Sequence, residues 1–158
     1  MHQLSNKAMK AMNSLKKVII NSNLKCSDSL KLYDTMIKPI SIYGSDIWGA
    51  FINNANKLFD CNKNFVSLDR LPFEKTNLSF CKFILRTHKR SSNSAVRGEL
   101  GRFPILNQIV KNTLSNYFRI MNIEHNTLLR DCYECNIELL KNDKKCWLKG
   151  VKELCEAI

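Results

Sequence analysis

Glycine and proline are scarce, five and three in 158 residues, which argues against an all-β design built on many tight turns. No apolar run approaches the roughly 20 residues needed to span a bilayer. The opening stretch, MHQLSNKAMKAMNSLKK, spreads polar and basic residues throughout and holds no signal-like apolar block, so no export is expected. Acidic residues are also in short supply, 14 against 25 Lys and Arg. Cysteine is plentiful at seven, but the number is odd and no secretion signal accompanies it. Reduced thiols in an intracellular protein, nuclear or cytoplasmic, are therefore expected. Hydrophobic residues make up 44% of the chain, enough for a folded core.

The net charge of +11 is unevenly spread. Residues 1–60 carry eight Lys/Arg against four Asp/Glu, residues 61–111 ten against three, and residues 112–158 seven against seven. The excess is densest around Lys82, Arg86, Lys89, Arg90, Arg97 and Arg102. Such a concentration attracts a polyanion, and phosphate backbones are the usual one; the alternative is a merely solvated basic face.

Helical periodicity recurs along the chain. Leu4, Ala8, Ala11, Leu15 and Val18 form the stripe of a first amphipathic helix. Ser27 offers an N-cap for a second, in which Leu30, Tyr33, Ile37, Ile40 and Tyr43 continue at helical spacing to Gly44. Pro39 is expected to bend that helix and Gly44 to end it. Residues 60–72 lose the period and read as a loop. Helix resumes near Phe73 with Leu78, Cys81, Ile84 and Leu85 as the buried side, then gives way to the basic connector HKRSSNS. Ser94 is placed to cap a short helix ending near Gly101, and Pro104 suits the first turn of a long helix. Two further helical segments, near 127–141 and 145–157, follow. The expected architecture is all-α, an irregular bundle of about six or seven helices.

Two stretches resemble the region just downstream of the polymerase domain in non-LTR (LINE-type) retrotransposon reverse transcriptases. One is MIKPISIYGSDIWG, residues 36–49, following KAMKAMNSLKK and SLKLYDTMI. It is similar to the family's Pro-Ile-x-x-Tyr-Gly-x-Glu-x-Trp signature, with Asp46 where the family usually has Glu. The other, SNSAVRGELGRFPI at 92–105, resembles the family's Ala-x-x-x-Glu-Leu-Gly-Arg-x-Pro-Leu. The likeness covers residues 4–122. It implies a thumb-like helical domain over 1–122, with 123–158 as a helical extension, and a primer–template duplex of RNA or DNA gripped through its backbone.

On that likeness Lys82, Arg86, Lys89, Arg90, Arg97 and Arg102 are the expected phosphate contacts. Tyr43, Gly44, Trp48, Glu99, Leu100 and Gly101 are expected to be structural, with Glu99 pairing Arg97 or Arg102. Polymerases of this class hold two metal ions on paired carboxylates, and the chain contains no Asp-Asp pair. The expectation is a truncated, non-catalytic fragment lacking fingers and palm, with no cofactor. Some of the apolar stripe of its first helix is expected to lack a partner surface and to be open to self-association.

Other constellations are weaker. His125, Cys132, Cys135 and Cys146 contain a Cys-x-x-Cys zinc half-site, set in a helix-periodic run without the knuckle that presents two thiolates. Cys81 and His88 could be drawn as a nucleophilic pair, but His88 lies in the connector and their association reads as accident. Asp28, Asp34 and Asp46 show no pairing suited to acid–base work. Tyr33, Tyr43, Trp48, Phe80, Phe83, Phe103, Tyr117 and Phe118 interleave with basic residues, where exposed rings can stack on bases; most sit at positions expected for a core. The rival to nucleic-acid binding is a vestigial or protein-interaction helical domain.

Overall fold

The computed structural model describes residues 2–52, 68–123 and 128–157. These are helical, with no strand among them. They divide into two compact units, one of residues 1–43 with 66–105, the other of 44–65 with 106–158. The boundary drawn from sequence at 122/123 thus falls inside the second unit. No described helix is long and apolar enough to cross a membrane.

The first unit holds α1 (His2–Ser22), α2 (Cys26–Leu32), a π-helical turn (Tyr33–Ile37), α3 (Lys38–Ile42), α5 (Pro72–Ile84) and α6 (Asn93–Glu99). Its core gathers Ala8, Met12, Leu15 and Ile19 of α1 with Tyr33, Ile37 and Phe80. The Tyr33 and Phe80 rings stack with centroids 4.4 Å apart. Fully buried side chains of this size contribute about 1.5–3 kcal/mol each. The face of α1 that is buried is Ser5–Ala8–Met12–Leu15–Ile19, and Val18 stands 52% exposed. The expected stripe was therefore rotated at its C-terminal end, because a 3.6-residue period reaches Ile19 from Met12 and Leu15. Most of that stripe has a partner surface within the unit, and the part left without one is its C-terminal end at Val18.

The bend expected at Pro39 takes a definite form. Proline cannot donate to the carbonyl four residues back, and the preceding turn widens so that the Lys38 N–H reaches the Tyr33 carbonyl. The Thr35 hydroxyl turns inward to the Lys31 carbonyl at 3.0 Å. Such single-turn π-bulges are a recognised way to absorb a kink. Ser27 does not cap α2, which starts at Cys26 after Lys25. Nor does Ser94 cap α6: the hydroxyl of Ser92 accepts from the Ala95 N–H at 3.5 Å, two residues earlier than the spacing suggested.

The second unit holds α4 (Ser45–Trp48), a 3₁₀ turn (Gly49–Phe51), α7 (Ile105–Met121, apart from its first residue), α8 (Leu128–Lys141) and α9 (Trp147–Ala157). Close approach organises it. A Cβ on Gly49 would overlap the Thr113 hydroxyl, and one on Gly150 would overlap the Ala50 carbonyl oxygen. The Thr113 hydroxyl donates to the Ser45 carbonyl at 2.9 Å, and Asn112 donates to the Ser45 hydroxyl at 2.8 Å. Tyr117, Tyr133 and Trp147 bring α7, α8 and α9 together, with Tyr117 centroids 6.5 and 6.3 Å from the other two. Gly44, at φ +67°, makes the left-handed turn between α3 and α4 that a side chain would strain.

Candidate nucleic-acid interface

The six cations singled out in the sequence all lie in the first unit, where they part into two groups. Arg97, on α6, is 5% exposed. Its Nη2 lies 2.7 Å from Asp69 Oδ1 and 3.1 Å from Glu74 Oε2, and Glu74 is 0% exposed. Asn93 donates to the second oxygen of Asp69 at 2.7 Å. Buried carboxylates demand a counter-charge, and Arg97 supplies it from 23 residues downstream of Glu74. Arg102 forms a fork with Asp34, Nη1 to Oδ2 at 3.1 Å and Nη2 to Oδ1. Its guanidinium also lies 5.5 Å from the centre of the Tyr33 ring. Arg97 is closed to any surface phosphate, and Arg102 is committed to Asp34. The acids they meet are Asp69, Glu74 and Asp34, so the expected pairing with Glu99 is replaced by contacts formed in three dimensions.

The other four, Lys82, Arg86, Lys89 and Arg90, lie on the last turn of α5 and the connector after it. Arg86, Lys89 and Arg90 are exposed and Lys82 is half-buried. None of the four is paired with a carboxylate among the described residues. The connector is ordered by its own backbone. Thr87 N–H reaches the Lys82 carbonyl at 3.0 Å and Arg86 N–H the Phe83 carbonyl at 3.1 Å, the two bonds of a Schellman motif. Arg86 occupies its left-handed position at φ +52°, where glycine is usual. Lys82 Nζ donates to the Lys89 carbonyl at 2.8 Å, and Arg90 N–H to His88 Nδ1 at 3.2 Å.

Two cations that the sequence reading passed over belong to the same surface. Lys75 precedes Lys82 by seven residues, so Lys75, Ser79 and Lys82 share one face of α5; that periodic signal was legible. Lys16 carries no local signal. It arrives from α1, donates to Ser79 Oγ at 3.3 Å and sits 5.2 Å from the centre of the Phe83 ring. Burial lowers the pKa of its ammonium.

The remaining candidates do not assemble. Cys81 is buried, with its Sγ 3.8 Å from Asn77 Oδ1, and burial pushes its thiol pKa up, away from the thiolate a nucleophile needs. His88 is exposed on the connector. Among the described residues no three His, Cys, Asp or Glu are grouped as metal ligands; His125 lies outside them, as do most of residues 60–72. Of the aromatics, Tyr33 and Phe80 are buried, Trp48, Phe83 and Tyr117 half-buried, and Tyr43, Phe103 and Phe118 exposed. Comparison with known protein families, curated proteins and solved structures returned no match.

Proposed function

We propose that the chain is a thumb-like, non-catalytic segment of reverse-transcriptase descent that binds nucleic-acid duplexes through their phosphate backbone. Its support from sequence is the ordered pair of signatures at 36–49 and 92–105, together with the absence of an Asp-Asp pair. The observation that carries the binding is the cluster Lys82, Arg86, Lys89 and Arg90, unpaired with carboxylates among the described residues and presented on a backbone-ordered connector. Phosphate contacts of this kind position a protein without reading sequence.

The test is the salt dependence of duplex binding. Four phosphate contacts give a slope of log K against log salt of about −3.6 on duplex DNA, whereas all six original candidates would give about −5. Changing Arg86, Lys89 and Arg90 together to Ala should make the slope shallower by about 2.7. A flat response would overturn the proposal. Primer extension by the purified chain above background would overturn its non-catalytic part.

A second reading, a protein-interaction surface, draws on α8, in which no residue is buried and Leu128, Leu129 and Leu139 are exposed. Concentration-dependent self-association abolished by Leu129→Ser and Leu139→Ser would favour it.

A further inference from the structure

The C-terminal ends of α1 and α5, with the start of α2, border an open cavity of about 630 Å³, within the 300–1,000 Å³ typical of small-ligand sites. Ile19, Ile20, Leu24 and Phe83 give it apolar walls, and Lys82 and Arg86 line it as cations. No carboxylate lines it. Asn23, held at φ +46° at the end of α1, contributes an amide able to donate and accept. A ligand matched to this lining has an apolar body, a hydrogen-bonding edge and a negative charge.

A second cavity of about 380 Å³ adjoins the first and shares Lys82, Phe83 and Thr87 with it. Lys75 and Lys89 line it, and its one carboxylate, Asp69, is engaged by Arg97. Two adjacent cavities with a lysine in common fit a repeating polyanion whose repeat unit carries an apolar group. A single-stranded nucleic acid has that repeat; a duplex keeps its bases stacked inside.

We infer that the cavity between α1 and α5 takes one unstacked base of a single strand, with the flanking phosphates on Lys82 and Arg86. The inference rests on the nucleic-acid reading above and adds a base site to it. Insertion removes the apolar faces of a base from water, a contact tolerant of base identity because every base has such faces.

Its test compares fluorescein-labelled oligo-dT with an abasic deoxyribose-phosphate strand of the same length. The expected result is binding of oligo-dT tighter by about tenfold or more. Cys26 lines the cavity and is exposed, as are Cys132, Cys135 and Cys155. Alkylation followed by mass spectrometry should show Cys26 alone protected by oligo-dT, and unprotected by the abasic strand. Ile20→Glu should bring oligo-dT down to the abasic affinity, and since Ile20 is 65% exposed the fold tolerates the change. Equal binding of the two strands overturns the base site and leaves backbone binding intact. A base effect without Cys26 protection, or one that survives Ile20→Glu, also overturns it. No binding of any strand or duplex at low salt overturns the parent reading itself.

Discussion

The two units of this chain are made of the same kind of element and held together by different means. The first carries 15 Lys and Arg against five Asp and Glu, a net +10; the second carries ten against nine, a net +1. The charged unit buries an ion cluster, Asp69–Arg97–Glu74, beside a stacked aromatic pair. The neutral one relies on backbone approach at Gly49 and Gly150. The difference teaches that a basic patch in a sequence is not a basic surface. Of the six cations in the densest stretch, the fold claims Arg97 and Arg102, while Lys82, Arg86, Lys89 and Arg90 at the α5 end and on the connector stay unpaired with carboxylates among the described residues.

Breaking the ion cluster should have the largest effect. Arg97→Ala withdraws the guanidinium that lies between Asp69 and the buried Glu74, and removing one partner of such a pair costs about 3–5 kcal/mol. Urea unfolding should report that loss, with α1 and α5 losing amide protection; a loss under 1 kcal/mol would mean that Arg97 is not what holds the first unit. In the second unit the corresponding break is Gly150→Ala, whose new methyl would meet the Ala50 backbone. Overpacking of this sort costs about 1–3 kcal/mol. Hydrogen exchange should quicken in α7 and α9. If α1 loosens equally, the two units do not respond separately.

A pH experiment probes the first unit without removing a charge. Tyr33 is fully buried and its hydroxyl has no hydrogen-bond partner among the described residues. Burial pushes its pKa well above the ordinary 10.0. The fold therefore favours the neutral phenol. This contributes stability that is fully present below pH 10 and is lost above it, where the unfolded chain ionises and the folded one does not. Tyr33→Phe should lie close to the parent at pH 7. Above pH 10 it should be the more stable of the two, by up to about 1.4 kcal/mol per pH unit. Parallel stability curves for the two proteins would show that the ring is not buried in solution.

What the sequence made legible is what depends on neighbours along the chain. The helical period marked α5, α7, α8 and α9 closely, because each has its own amphipathic face. Gly44 and Gly101 were readable as helix ends, and both have positive φ. The end of the α1 stripe was only half legible: Ile19 keeps the helical step from Met12 and Leu15, but Val18 also lies one step from Leu15, and packing against Tyr33 and Phe80 selects Ile19. The partner of Arg97 was not legible: Glu99 is two residues away, while Asp69 and Glu74 come from the start of α5 and the turn before it. Lys16 joins Ser79 across 63 residues. The signatures at 36–49 and 92–105, whose Tyr43, Gly44, Trp48, Glu99, Leu100 and Gly101 read as structural, also coincide with the joints of the fold. The division between units falls at 43/44 and at 105/106, within the first and at the end of the second, so both mark places where the chain passes from one unit to the other.

The smallest expected effect separates fold from function most cleanly, because it uses the same backbone motif in both units. Arg86 and Asp143 each occupy the left-handed position of a Schellman motif, at φ +52° and +50°. Thr87 and Lys144 each close the motif on the carbonyl five residues back. A side chain in that conformation costs about 1–2 kcal/mol that glycine avoids. Glycine recovers less than this in practice, since it also loosens the unfolded chain. Both Arg86→Gly and Asp143→Gly should therefore raise stability, each by about 0.5–1 kcal/mol. Asp143 also pairs with Lys149 at 2.6 Å, a surface contact that water and salt screen. The two variants should part company on duplex DNA. Arg86→Gly removes a proposed phosphate contact and should make the salt slope shallower by about 0.9, whereas Asp143→Gly should leave it unchanged. Arg86→Ala loses the same charge but keeps the left-handed strain, so it should match the glycine variant in slope without its gain in stability. If Arg86→Gly is the more stable protein and still binds with the parent's salt slope, the arginine at that helix end has no part in holding a phosphate.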